Sequence, residues 1–120
     1  MKPCASRPCN DCPWRRKSMP GWLGDDTPEH FLNTAMADID MPCHQTVNYE
    51  RPDWETQLGP RGTALSCAGQ AIFFANILKV SRDRKRRQLK PNKTLVFASP
   101  EEFLKHHNKY RAQWDVVKKG

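Results

Sequence analysis

The spacing of the cysteines constrains this chain more than any other feature. Cys9-Asn10-Asp11-Cys12 forms a C-x-x-C pair, and Cys43 and Cys67 follow as single cysteines far along the chain. A C-x-x-C turn aims two thiolates, and the amides between them, at one centre; each later cysteine can supply a further corner. The pair sits in a segment, 1–26, that carries Pro3, Pro8, Pro13, Pro20, Gly21 and Gly24 and no sustained helix or strand period. Such a segment needs an anchor. With hydrophobic residues at 38% and ten prolines, the chain supports one modest core, and we read 1–120 as a single metal-binding domain.

The redox setting favours metal over disulfides. Met1 to Pro8 lacks the apolar run of a secretory signal, and no stretch approaches the ~20 apolar residues that cross a bilayer. The expected location is therefore the cytoplasm, without membrane association, where thiols stay reduced. Five cysteines, an odd number, fit that reading.

Local signals place the elements. Thr27-Pro28-Glu29 reads as a helix start, with Phe31, Leu32, Ala35 and Met36 on one face, and predicts a helix over 28–38. Residues 43–49 read as a short strand or extended loop, and 51–62 as a loop from which Trp54 and Leu58 dock on the core. Apolar spacing predicts a central helix over 64–80, built on Ala71, Phe74, Ala75 and Leu78. A basic linker spans 81–93, and Leu95-Val96-Phe97 reads as a short strand. Ser99-Pro100-Glu101-Glu102 has the form of a capping box and opens a helix over 99–117, with Phe103, His107, Tyr110, Trp114 and Val117 on one face. The fold expected is a small mixed α+β domain, mostly helical, its irregular N-terminal region organised around a Cys4 metal site.

Cys67 lies near the start of the central helix, where the helix dipole favours the thiolate that metals bind. The competing reading makes Cys43 and Cys67 small buried hydrophobes and the first pair incidental. Taken in order, Cys9-x-x-Cys12-Pro13-Trp14-Arg15-Arg16, Cys43-His44 and Cys67-Ala68-Gly69 resemble the signatures of a family of small uncharacterised cysteine-rich domains of bacteriophages and actinobacteria. The resemblance covers about Pro8 to Leu78 and, loosely, the terminal helix. It implies that Cys9, Cys12, Cys43 and Cys67 act as a group and that Cys4, with no counterpart, is a thiol outside it. The chain departs from the pattern in its basic insert.

Zinc ribbons usually present two C-x-x-C knuckles; one knuckle with two single cysteines, and Pro13 after Cys12, tilt the expected cofactor toward a [4Fe-4S] cluster, with one Zn2+ as the alternative. His44 and Trp14 are the neighbours placed to tune the centre, by a hydrogen bond and by excluding water. The formal charge of +7 and pI near 9.4 suit a polyanionic partner. Arg15, Arg16, Lys17, Arg82, Arg84, Lys85, Arg86 and Arg87 are the expected nucleic-acid contacts. No Gly-rich phosphate loop, nucleophile elbow, H-E-x-x-H or acid/base carboxylate pair is present, so no enzyme activity is expected. The leading expectation is a phage-type accessory or regulatory protein associating with nucleic acid, in the host cytoplasm if phage-encoded. A [4Fe-4S] redox or oxidant-sensing protein and an adaptor binding a host protein are the alternatives.

Overall fold

The computed structural model describes residues 2–4, 8, 12–23, 26–43, 48, 50–58 and 65–119. Among these the chain is mostly helical, with three helices and little strand. The elements are β1 (Lys2–Cys4), α1 (Pro28–Met36), β2 (Leu65–Ser66), α2 (Ala68–Asn76) and α3 (Pro100–Lys119), with 3-10 turns at Trp54–Leu58 and Arg86–Gln88.

Helix α1 starts as its sequence signals: Thr27 Oγ1 accepts from the His30 amide and Pro28 occupies the first turn. Helix α3 starts at Pro100, with Ser99 Oγ accepting from the Glu102 amide at 3.2 Å. Glu102 in turn accepts from the Ala98 amide and from Arg16, at 2.6 Å. The Ala98 hydrogen bond, aided by Arg16, holds the Glu102 carboxyl below its ordinary value despite partial burial. Phe103 and His107, one turn apart on α3, are buried. Tyr110, Trp114 and Val117 fall outside the residues whose side chains are described.

The central helix is shorter than its apolar pattern predicts, and both ends have a physical reason. At the start, Leu65 and Ser66 pair with β1 in parallel (Lys2↔Leu65, Cys4↔Ser66), and the Cys67 amide donates to Met41 O at 2.8 Å. Backbone committed to a sheet ladder cannot join a helix. At the other end Leu78 adopts the left-handed conformation, φ 59°. The Lys79 amide then bonds back to Phe74 O and the Leu78 amide to Ala75 O, the paired bonds of a Schellman termination. Glycine normally holds that position; leucine there costs on the order of 1 kcal/mol.

Two other expectations change in form. The opening segment is not wholly irregular, since Lys2–Cys4 is a strand. Leu95-Val96-Phe97 makes a single antiparallel bridge, Arg15↔Val96, flanked by Arg16 N to Leu95 O and Phe97 N to Trp14 O. That bridge delivers Trp14 to the centre of the core. Its ring lies 4.7 Å from Phe103, 4.8 Å from Phe73 and 5.5 Å from Phe31, joining α1, α2 and α3 through one side chain. Asn76 fastens the same region from α2: its amide nitrogen donates to Asn92 O, Val96 O and Phe97 O, and its oxygen accepts from the Asn92 amide.

Candidate metal centre

Three of the four grouped cysteines are described, and all three are buried. Cys12 precedes a turn closed by Arg15 N to Cys12 O at 3.1 Å. The next carbonyl, that of Pro13, accepts from His107 Nε2 at 2.8 Å, while His107 Nδ1 accepts from the Gly21 amide at 3.0 Å. Those two bonds require a neutral imidazole carrying its proton on Nε2. Burial pushes the His107 pKa down to about 4; the Pro13 hydrogen bond opposes the shift and neighbouring His106 adds to it. A histidine of α3 thus fixes the loop that presents Cys12.

Cys67 is the N-cap residue of α2, with no side-chain capping bond. The segment around Cys43 runs antiparallel beside it, with Cys43 N to Leu65 O at 2.7 Å, Cys67 N to Met41 O and a bridge between Pro42 and Ser66. Alternation along that ladder puts Cys43 and Cys67 on the same face. Across the core, Cys12 Sγ lies 3.8 Å from Cys67 Sγ, although 55 residues separate them in the chain. Among the described residues, no three Cys, His or carboxylate side chains converge as a metal-binding group. Cys9 and His44, both in the sequence-derived site, lie outside the described residues.

Gly69 allows the thiol pair to form. A Cβ on this residue would stand 2.4 Å from Cys12 Sγ, 2.8 Å from Trp14 Cβ and 3.0 Å from Trp14 Cδ1. The first turn of α2 therefore packs backbone directly against Cys12 and Trp14. Sequence reasoning missed this role, although a glycine inside an apolar helical run is the signal that marks close approach. Trp14 is fully buried, and its indole N–H finds no acceptor among the described residues. Trp22, by contrast, is exposed.

No protein-family model, curated protein or solved structure matches the chain.

The cationic residues divide sharply. Lys17, Arg82, Arg84 and Arg87 are exposed, and Arg15 is half-buried. Arg16 is committed to Glu102 and to Lys93 O at 2.7 Å. Arg86 requires a correction as a phosphate contact: it is only 4% exposed, and its guanidinium pairs with Asp38 at 2.9 Å and Asp40 at 2.8 Å. Lys85 bonds Asp40 at 3.2 Å and Ser66 Oγ at 3.3 Å. The run that reads as a basic linker is thus pinned by an acidic patch that local sequence pattern does not reveal. Asp38, in left-handed backbone after α1 (φ 64°), also accepts from Ser81 Oγ and the Arg82 amide. Burial alone would raise its carboxyl; hydrogen bonds from Ser81, Arg82 and Arg86, with the Arg86 charge, outweigh it and hold the group below its ordinary value. Among the described residues, no helix is long and apolar enough to cross a membrane.

Proposed function

We propose that the protein is a non-catalytic metal-thiolate protein in which Cys9, Cys12, Cys43 and Cys67 hold one tetrahedral metal ion of zinc type, clamping the opening segment to α2. The observation that carries this reading is the 3.8 Å between Cys12 Sγ and Cys67 Sγ. Two thiolates bound to one tetrahedral ion at ~2.3 Å are about 3.8 Å apart. In a [4Fe-4S] cubane each cysteine ends on its own iron, so the sulfurs diverge further. The spacing is compatible with the single-ion member of the two cofactors that the sequence leaves open and too short for the cubane; it is also the distance of an S–H···S contact between two metal-free thiols, the alternative that metal analysis separates. Cys67 at the N-terminus of α2 adds support, because the helix dipole stabilises its thiolate.

The test is metal and sulfide analysis of protein purified without oxygen, alongside Cys12→Ser and Cys67→Ser. About one zinc per chain, lost in either variant together with a lower thermal midpoint, is the expected result. About four irons and four sulfides with visible absorption would replace this reading with the redox or sensing one. Metal-free protein of unchanged stability would return the thiols to the core.

A second reading, an accessory role on nucleic acid, draws on the exposure of Lys17, Arg82, Arg84 and Arg87. It requires affinity for duplex or single-stranded DNA that falls steeply with salt. Binding insensitive to salt would remove it.

A further inference from the structure

We propose that the groove at the C-terminal end of α2 is a docking site for an acidic segment of a partner protein, anchored by apolar side chains. This goes beyond the metal reading and does not rest on it. The groove encloses about 430 Å³ between the end of α2 and the Arg86–Gln88 turn, with Phe74, Leu78, Val80 and Leu89 among its walls.

Leu78 is the unusual element. It occupies the left-handed position of the Schellman termination and is 89% exposed; Val80, two residues on, is 77% exposed. Folding explains neither feature. A glycine would end the helix without strain, and an exposed leucine contributes little burial. Strained backbone that holds an apolar side chain in water at the mouth of a groove points to a contact made with something else.

The charge around the groove selects the occupant. Lys79 and Arg87 line it and exposed Arg84 lies nearby in the chain; Arg84 and Arg87 carry no ion pair among the described residues, whereas Arg82, also exposed, pairs with Asp38 at 3.8 Å. The carboxylates that would repel an acidic ligand, Asp38, Asp40 and Asp83, are paired with Arg86 and Lys85. The result is an apolar slot with a cationic rim, complementary to a segment that intersperses Asp or Glu with Leu or Phe. Single-stranded nucleic acid fits less well, because bases stack on open aromatic faces. The walls here are largely aliphatic, and Phe74 is buried with the Lys79 ammonium 5.5 Å from its ring centroid.

The experiment is fluorescence anisotropy with the full chain as purified and three labelled probes. One is an acidic peptide of about twelve residues carrying Leu and Phe anchors; one has the same charge with the anchors replaced by Ser; one is an oligothymidylate of similar length. The anchored peptide should bind best. Lys79→Glu and Arg87→Glu should each weaken it, more strongly at low salt. Leu78→Gly is the decisive variant: it should weaken the anchored peptide about tenfold or more while the thermal midpoint holds or rises, separating recognition from folding. Equal affinity for the anchorless peptide, preference for the oligothymidylate, unchanged affinity in Leu78→Gly, or no binding by any probe would each overturn the proposal.

Discussion

The two ends of α2 are built on opposite lines. At its start the backbone of Gly69 packs against Cys12 and Trp14, two thiols stand 3.8 Å apart, and the surrounding side chains are buried. At its finish a leucine is held in strained backbone, facing water over an open groove. The first end closes distant parts of the chain on one another; the second leaves apolar and cationic surface on display. One nine-residue helix thus runs from a closed packing of distant segments to an open groove whose floor is itself pinned by Arg86 on Asp38 and Asp40.

The largest test of that division is Arg86→Ala. It would remove the buried guanidinium that pairs Asp38 and Asp40, leaving Asp38 only the Ser81 and Arg82 contacts, and should cost about 3 kcal/mol or more in urea unfolding. If the two ends are separate, the reactivity of Cys12 and Cys67 toward a thiol reagent under native conditions should stay low.

Gly69→Ala makes the reverse cut. The added methyl has no room between Cys12 Sγ and Trp14, so a loss of about 3 kcal/mol and faster thiol modification are expected, with peptide binding at the groove retained at temperatures where the variant is folded. Wild-type stability would show that the first turn of α2 yields more easily than this packing implies.

The smallest effect comes from pH. His107 has a folded-state pKa of about 4, below its ordinary 6.5, so the unfolded chain binds the extra proton. Its contribution is intact above pH 6.5 and is lost as pH falls from there toward 4, about 2 kcal/mol by pH 5. Asp38 shifts the other end differently: its carboxyl lies below 3.8 in the fold, so its contribution survives until pH drops beneath that value. Mild acid should therefore loosen the Cys12 loop, read by thiol reactivity, before it disturbs the groove. A His107→Asn variant should lose the pH 5 to 7 dependence.

Much of this division was written in local pattern. Thr27-Pro28 and Ser99-Pro100 announce α1 and α3 because capping depends on residues a few positions apart. Spacing singled out Cys9, Cys12, Cys43 and Cys67; of these the described residues bring Cys12 and Cys67 into contact. What escaped depends on distant partners. Leu65 and Ser66 leave the helical pattern because Lys2–Cys4 pairs with them, and Leu78 ends the helix without glycine. Arg86 resembles its neighbours Lys85 and Arg87 in sequence, yet Asp38 and Asp40, more than 40 residues earlier, draw it inside. Periodicity has no means of registering a carboxylate contributed from so far away.

The bond from His107 to the Pro13 carbonyl spans 94 residues, that from Arg16 to the Lys93 carbonyl 77, and the Cys12–Cys67 contact 55. A ribosome delivers the chain from its N-terminus at ~5–20 residues per second. Throughout that interval Cys12 and Trp14 wait for groups not yet made, and the Pro13 carbonyl waits until α3 has emerged. A segment made before all of these partners is completed only when the last of them arrives.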